Sequence, residues 1–216
     1  MPTIKAVIFD MDGVLVDSEP FICEAAIRMF AEHNLTVSPD DFIPFVGAGE
    51  NRYLGGVAEK HCFAIDIERD KARTYAIYGE IVKGRLEPLA GVHEFISRAR
   101  LHGLMLALAS SADRIKIETN LREIGVPSET FDVVVSGLDV IKKKPDPEIF
   151  QTAAGKIGVE PSACLVVEDA VNGVAAAKAA GMRCLGLTTS FSPDDLAGAN
   201  WIAPDLAHAP DEVMEW

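Results

Sequence analysis

The sequence predicts an α/β protein: an open parallel sheet with an all-helical segment inserted after its first strand. Along most of the chain, short apolar runs alternate with amphipathic stretches, a pattern typical of strands and helices in a parallel sheet. Between residues 17 and 87 this alternation stops, and the sequence there predicts helices with little strand signal. We therefore divide the 216-residue chain into a core, residues 1–16 and 88–216, and a helical insert, residues 17–87.

The core elements follow from the apolar pattern. Five buried strands are predicted at residues 4–10, 104–110, 131–136, 163–168 and 183–187. Four amphipathic helices are predicted at residues 92–102, 115–124, 147–157 and 171–180. A glycine follows each of these helices, where it favours the left-handed conformation that ends a helix. The insert is predicted to hold helices at residues 19–33 and 66–84, and the tail around Pro204 and Pro210 is predicted to be irregular.

The composition narrows the classes of partner. Lys plus Arg number 20 and Asp plus Glu number 33, a net charge of −13, which disfavours nucleic acid or an anionic membrane as a partner. The four cysteines are scattered, as is typical of a reducing compartment. We expect no leader and no membrane span, because no apolar run has the required length. The expectation is a cytoplasmic, monomeric protein without nucleic-acid or membrane partners.

Polar side chains follow the predicted strands at the points where the strands end. They are Asp10 and Asp12 after the first strand, Ser110 and Ser111 at the second, Lys144 beyond the third, and Glu168 and Asp169 at the fourth. Because the carboxyl ends of parallel strands meet at one edge of a sheet, we expect these residues to lie close together.

The chemistry of these groups indicates phosphoryl transfer. Asp10, Asp12 and Asp169 cannot all stay charged side by side without a cation, and oxygen ligands suit Mg²⁺. A lysine and hydroxyl groups suit a phosphate, helped by backbone N–H groups of the helix after Ser111. Asp10 is the predicted nucleophile, since a carboxylate can attack phosphorus. Asp12 is predicted to protonate the leaving oxygen and then to activate water.

Each signal also has a plainer structural interpretation. Turn or helix capping would explain Asp10, Asp12, Ser110, Glu168 and Asp169. Lys144 ends a run of three lysines, a pattern typical of a solvated surface. Gly13 and Gly173 are predicted to lie in tight turns. The combination of all these signals at successive strand ends is what favours a catalytic site.

Four segments of the chain resemble, in order, the four motifs of the haloacid dehalogenase-like superfamily of hydrolases. They are FDMDGVLVDSE, LALASSAD, KKKPDPEIF and VVEDAVNGVAAAKAAGM. The resemblance covers residues 4–16 and 88–190 and implies a Rossmann-like core. The helical insert stands where that family carries its cap domain. It is therefore implied to be a lid that closes over the substrate, hinged near residues 16–17 and Pro88.

The resemblance also implies a role for each matched residue. It makes Asp10 the nucleophile, Asp12 the general acid and base, Ser110 the group that orients the phosphate, and Lys144 the cation that steadies nucleophile and phosphate. It makes Asp10, the backbone carbonyl of Asp12 and Asp169 ligands of Mg²⁺, with Glu168 either a further ligand or a holder of metal-bound water. The implied activity is a phosphatase that works through an aspartyl-phosphate.

Asp12 also separates branches of this family. The dehalogenases lack the second aspartate and the phosphonate-cleaving branch replaces it with alanine, so neither matches. The β-phosphoglucomutase branch remains an alternative. It carries a histidine and a cap arginine where this chain has Ile22 and Glu50, and an acid there would repel a second phosphate. The acid at this position therefore favours a sugar phosphatase. Because Arg52 lies close by, the mutase remains open.

Residues 45–52 of the insert are the predicted specificity loop. Substrate-binding residues are predicted at Gly47, Glu50, Asn51 and Arg52, together with Glu19 and Ser111. Acid and amide side chains suit sugar hydroxyls, so the predicted substrate is a small phosphorylated sugar or polyol. A non-catalytic binding module built on the same fold is the remaining alternative.

Overall fold

A computed structural model describes residues 3–47 and 49–216 of the chain; Met1, Pro2 and Ala48 of the predicted specificity loop lie outside it. In this part of the chain six parallel strands form one sheet, in the order β3-β2-β1-β4-β5-β6. They are β1 Ala6–Phe9, β2 Met105–Ala109, β3 Val133–Val135, β4 Cys164–Glu168, β5 Arg183–Leu187 and β6 Trp201–Ala203. The predicted α/β class with an open, Rossmann-like parallel sheet is confirmed.

The prediction of an irregular tail is wrong for β6. This strand is three residues long and extends the sheet by pairing Trp201 with Leu185 and Ala203 with Leu187. Three residues are too few to show the alternation or the apolar run that indicates a strand. The pairing with β5 therefore determines this element, and the local sequence does not reveal it.

Seven α-helices occur in the described residues. They are α1 Glu19–Glu32, α2 Glu50–Lys60, α3 Ile67–Val82, α4 Val92–Leu101, α5 Arg114–Glu123, α6 Glu148–Ile157 and α7 Val171–Ala179. Six of them match the predicted helices to within two residues at each end. The sequence analysis missed α2, because Gly55 and Gly56 weaken its helical signal. Close packing explains the glycine at position 56, because a Cβ there would lie 2.4 Å from the ring of Phe45.

Helices cover both faces of the sheet, because alternate residues of each strand point to opposite sides. On one face, Phe9 of β1 packs edge-to-face against Phe95 of α4, with ring centroids 5.9 Å apart. On the other face, Ala6 and Ile8 pack with Phe150 of α6 and with α7. The central strand β1 is buried on both sides, so the residues directly after it lie at the middle of the sheet's carboxyl edge.

The insert consists of α1, α2 and α3, with α1 and α2 both packed against α3. Its entry and exit lie side by side: Val16 pairs with Pro88 in an antiparallel bridge, and the Leu89 N–H donates to the Leu15 carbonyl at 2.9 Å. The division at residues 16/17 and 87/88 stays a prediction. No helix within the described residues is long and apolar enough to cross a membrane.

Candidate active site

The site lies at the carboxyl edge of the sheet. Strands β2 and β4 flank β1, and Phe9 is in register with Leu108 on one side and Val167 on the other. This register brings Asp10, Ser110 and Glu168, which end these three strands, to the same edge. All three are at least nine-tenths buried. The topology thus brings together residues that lie up to 158 positions apart in the sequence.

Lys144 reaches this edge from the loop before α6. Its Nζ lies 2.6 Å from Oδ1 of Asp10 and 2.6 Å from Oε1 of Glu168. Burial alone would lower the pKa of Lys144, but the charges of Asp10 and Glu168 outweigh it and raise the pKa above its usual range. Lys144 is therefore a fixed cation between two carboxylates, and not a residue of a solvated surface.

Asp10, Glu168 and Asp169 form a compact carboxylate cluster, with one oxygen of each within 4.8 Å of the others. Burial, together with the charge of Glu168, raises the pKa of Asp10 to about 7 against the opposing effect of Lys144. Burial and the charges of Glu168 and Asp10 raise the pKa of Asp169 to about 8. One lysine does not balance three buried carboxylates. Their oxygen-only donor set fits a divalent cation such as Mg²⁺.

Two glycines make room for this cluster. At Gly13, where φ is +75°, a Cβ would lie 1.8 Å from Oδ2 of Asp169. At Gly173 a Cβ would lie 1.8 Å from Oε1 of Glu168. The predicted tight turn is wrong for Gly173, which lies inside α7. Its missing side chain serves the packing of Glu168, whose Oε2 accepts the N–H groups of Asp169 and Ala170 at 2.9 and 2.8 Å.

The two serines occupy the edge beside Asp10. Ser110 is buried, and its Oγ accepts the N–H of Ala112 at 3.2 Å. Ser111 is less buried and lines the cavity above the cluster. Neither residue is the N-cap of α5, which begins at Arg114 after Asp113. Ser110, Ser111 and Lys144 all line this cavity.

Asp12 points away from the carboxylate cluster and toward the insert. Its Oδ1 accepts the hydroxyl of Ser18, and its Oδ2 lies 2.9 Å from Nζ of Lys116 on α5. Lys116 lies 3.9 Å from the carboxylate of Glu50, at the start of α2. Burial would lower the pKa of Lys116, and the charges of Asp12, Glu50 and Glu19 reverse this and raise it.

A cavity of about 690 Å³ joins these groups to the insert. Three of the predicted substrate-binding residues of the insert line it: Glu19, Gly47 and Glu50. Glu50 is buried and Glu19 is half-buried, and burial raises the pKa of each carboxyl against the opposing charge of Lys116. One oxygen of each, Oε1 of Glu19 and Oε2 of Glu50, is buried without a hydrogen-bond partner among the described residues.

Asn51 and Arg52 are not brought to the cavity. Asn51 accepts a hydrogen bond from Nζ of Lys71 at 2.8 Å. Arg52 is half exposed, pairs with Glu59 at 2.8 Å and stacks over the ring of Phe45 at 4.9 Å. The prediction that these two side chains bind substrate needs correction, because the helix that begins at Glu50 turns them away from the cavity.

Sequence reasoning missed three residues that line or support this region: Lys116, Ser18 and Tyr53. Lys116 and Tyr53 line the cavity, and the buried Ser18 donates to Asp12. Lys116 lies in a helix with a polar and an apolar face, and a lysine in such a helix is expected on the face exposed to solvent. The one available signal was its place in the first turn of α5, where a cation opposes the helix dipole.

The fold and site define a class of α/β proteins that carry a buried carboxylate and lysine cluster at the sheet edge, next to a helical insert. A family model for haloacid dehalogenase-like hydrolases matches residues 4–181. The chain belongs to this family of hydrolases.

Individual relatives agree with the family. The chain is 41% identical over 213 residues to Protein SUPPRESSOR OF QUENCHING 1, chloroplastic, of Arabidopsis thaliana. The match covers 95% of this chain but only 20% of the length of that protein. It is 33% identical over 190 residues to the Phosphorylated carbohydrates phosphatase of Thermotoga maritima, covering 88% of each. The crystal structure of CbbY from Rhodobacter sphaeroides superposes with a TM-score of 0.89 at 24% identity over 99% of this chain and 100% of that one, which shows the shared fold. The predicted family and its phosphatase branch are confirmed.

Proposed function

We propose that this protein is a Mg²⁺-dependent phosphatase that hydrolyses sugar or polyol monophosphates through an aspartyl-phosphate on Asp10. The observation that carries the proposal is the contact of Lys144 with both Asp10 and Glu168, 2.6 Å each, at the floor of the cavity. A buried carboxylate beside a fixed cation is a nucleophile next to a binding group for phosphate oxygens. A purely structural ion pair would not need the hydroxyls and the open space beside it.

In the first step, a carboxylate oxygen of Asp10 attacks phosphorus, and the bond between phosphorus and the leaving oxygen breaks. Lys144 and Ser110 hold the oxygens of the phosphoryl group during this transfer. Asp12 donates a proton to the leaving oxygen, so that an alcohol departs. The phosphoryl group is then bonded to Asp10.

In the second step, a water molecule attacks the same phosphorus and the bond to Asp10 breaks. Asp12, now ionised, accepts the proton of that water. Inorganic phosphate forms, and Asp10 and Asp12 return to their starting states.

The proposed metal ligands are Asp10, Asp169 and the backbone carbonyl of Asp12, with Glu168 beside them. The cluster of Asp10, Glu168 and Asp169 supports this assignment, because three buried carboxylates share one lysine. Bound Mg²⁺ would offset the charge of these carboxylates and of the phosphoryl oxygens. Glu168 already accepts two backbone N–H groups and contacts Lys144, so we propose that it orients the ligands.

The proposed substrate class rests on the cap side of the cavity. Glu19 and Glu50 line the cavity there, and their carboxyl groups suit hydrogen bonds with the hydroxyl groups of a sugar or polyol. A cavity of about 690 Å³ is the size of a small-molecule site. The Thermotoga maritima relative, named for phosphorylated carbohydrates, supports the same class. We further propose a monomeric, cytoplasmic enzyme without nucleic-acid or membrane partners.

The alternative is a sugar-phosphate mutase of the β-phosphoglucomutase type. Such an enzyme must hold a second phosphate at the cap end of the cavity. Among the described residues that line the cavity, the cations are Lys116 and Lys144, and both are already within 2.9 Å of carboxylates. Arg52, the other candidate, pairs with Glu59. The charge balance therefore favours the phosphatase.

The test is phosphate release from sugar, polyol and nucleotide monophosphates, with Mg²⁺ and with EDTA, by wild type and Asp10→Asn. The panel includes β-glucose 1-phosphate, with glucose 6-phosphate followed as a product. Metal-dependent phosphate release that Asp10→Asn abolishes supports the phosphatase. Formation of glucose 6-phosphate with little free phosphate would instead establish the mutase, and no turnover at all would favour a binding module.

A further inference from the structure

Lys116 is an unusual residue for its position. Its side chain is 4% exposed, and it lies in the first turn of α5, which begins at Arg114. A cation at the start of a helix opposes the helix dipole, and burial of an ammonium group is unfavourable unless carboxylates offset its charge. Neither helix formation nor packing therefore favours a lysine here. The carboxylates around it are what stabilise it.

Those carboxylates come from both sides of the cavity. Lys116 belongs to the core, and its Nζ lies 2.9 Å from Asp12 in the core and 3.9 Å from Glu50 in the insert. Glu19, the first residue of α1, contributes a third negative charge nearby. Lys116 thus links Asp12, the proposed proton donor, with the carboxylates of Glu19 and Glu50 in the insert.

The contacts of Asp12 show what this arrangement determines. Ser18 donates to its Oδ1 and Lys116 contacts its Oδ2, so both oxygens are held and the orientation of the carboxylate is fixed. The side chain is still 32% exposed toward the cavity. Lys144, in contrast, contacts Asp10 and Glu168, so each lysine contacts a different set of carboxylates.

We infer that Lys116 is a positioning residue that holds Asp12 toward the leaving oxygen and, through Glu50, makes this position depend on the insert. The inference rests on the proposed function, in which Asp12 protonates the leaving group. Lys116 itself forms and breaks no bond. Without it, Asp12 loses one of its two contacts and faces Glu19 and Glu50 with no cation between them.

A proton donor matters most when the leaving group departs poorly on its own. The phenolate of p-nitrophenyl phosphate leaves readily without a proton, whereas that of phenyl phosphate leaves much less readily, although the two esters are similar in shape. The ratio kcat/KM reports every step up to departure of the leaving group. Comparison of these two esters therefore isolates proton donation from folding and from phosphate binding.

The experiment measures kcat/KM of wild type, Lys116→Met, Ser18→Ala and Asp12→Asn on both esters in the presence of Mg²⁺. For Lys116→Met we expect a loss of roughly 10- to 100-fold on phenyl phosphate, part of the ~10²–10⁴-fold that general acid catalysis supplies. On p-nitrophenyl phosphate we expect a loss of less than about 3-fold, because proton donation contributes little there. Ser18→Ala should show the same pattern, and Asp12→Asn a stronger form of it.

The double variant Lys116→Met/Glu50→Gln is the matched control. It removes one positive and one negative charge, so it keeps the charge balance and leaves no buried carboxylate of Glu50 without a cation. If Lys116 only neutralises Glu50, the difference between the two esters disappears in the double variant. If Lys116 positions Asp12, the selective loss on phenyl phosphate persists in the double variant.

Equal losses on both esters, disappearance of their difference in the double variant, or no loss at all would each overturn the positioning role. The proposed function is tested separately in the same assay, because it requires that Asp10→Asn abolish turnover of both esters. A protein in which Asp10→Asn is inactive and Lys116→Met shows no leaving-group dependence would keep the phosphatase and lose this inference.

Discussion

The two walls of the cavity are built in different ways. The core wall is made of Asp10, Ser110, Lys144, Glu168 and Asp169. There Lys144 contacts Asp10 and Glu168 at 2.6 Å, and Glu168 also accepts two backbone N–H groups at 2.8 and 2.9 Å. On the cap wall, made of Glu19, Gly47, Glu50 and Tyr53, both carboxylates keep an oxygen without a partner among the described residues.

This difference corresponds to two tasks. The core wall stands at the ends of three adjacent strands, which fix its groups with the precision that bond formation at phosphorus requires. The cap wall belongs to the insert and presents the carboxyl groups of Glu19 and Glu50, which suit a polar ligand. Substitutions on the core wall should therefore reduce turnover of every substrate, whereas substitutions around the cap wall should change which substrates are used.

The largest effect is expected for Asp10→Asn on the core wall. Loss of the nucleophile should lower kcat at least ~10³-fold for every phosphate ester, because no other group can form the covalent bond. Phosphate release and thermal unfolding of the purified variant measure this together. A variant that is folded and retains more than a small fraction of activity on one ester would show that the nucleophile lies elsewhere.

Asp169→Asn should separate metal binding from stability. In EDTA its thermal midpoint should rise above that of wild type, because one of three crowded carboxylates is gone. The increase in midpoint that Mg²⁺ gives wild type should disappear, and activity should fall roughly 10²-fold or more. Thermal unfolding across a Mg²⁺ titration measures both effects.

The control for this variant is Asp40→Asn, an exposed acid of the insert. It should leave both the midpoint in EDTA and the response to Mg²⁺ unchanged. An Asp169→Asn protein that still responds to Mg²⁺ like wild type would place the metal outside the carboxylate cluster.

Gly173→Ala should disturb the core wall through packing alone. Its Cβ would lie 1.8 Å from the carboxylate of Glu168, so that side chain must move and Lys144 loses a partner. We expect kcat to fall roughly 10-fold. Gly155→Ala is the matched control, since it also lies in a helix but its Cβ meets no atom within 4 Å.

Gly155→Ala should raise the free energy of unfolding by about 0.5–1 kcal/mol, the usual gain for this exchange within a helix, without changing kcat. Chemical denaturation and steady-state kinetics compare the pair. Equal behaviour of the two variants would mean that the position of Glu168 does not matter to turnover.

Arg52→Ala should have the smallest effect. Its guanidinium pairs with Glu59 and stacks on Phe45 near the cavity mouth, and exposed contacts of this kind contribute ~1 kcal/mol or less. We expect kcat/KM to change less than about 3-fold on all sugar monophosphates. A large rise in KM for one substrate would return Arg52 to the cap wall and reopen the mutase alternative.

The sequence predicted the core wall well, because each of its residues directly follows a strand or a loop that leads to the same edge. The parallel order of β1, β2 and β4 then places them together. It predicted the cap wall poorly. Once α2 begins at Glu50, each residue turns by about 100° around the helix axis, so Asn51 and Arg52 point away from the side that Glu50 faces.

Lys116 could not be predicted for a different reason. It lies 104 positions from Asp12, and its helix sequence indicates only an exposed polar face. Its burial depends on how the insert lies over α5, where Tyr78 of α3 donates to Asn120 and Lys71 pairs with Asp113 at 2.9 Å. Contacts between segments that lie far apart in the sequence leave no local pattern.

A covalent bond between Asp10 and phosphorus is the central feature of the proposed mechanism. Its most direct test is acid quenching during a single turnover with p-nitrophenyl phosphate, followed by peptide mass mapping. We predict a transient phosphoryl group on the peptide that contains Asp10, formed in wild type with Mg²⁺ and absent from Asp10→Asn. A phosphoryl group on another peptide, or full turnover with no phosphorylated peptide at any time, would contradict the account.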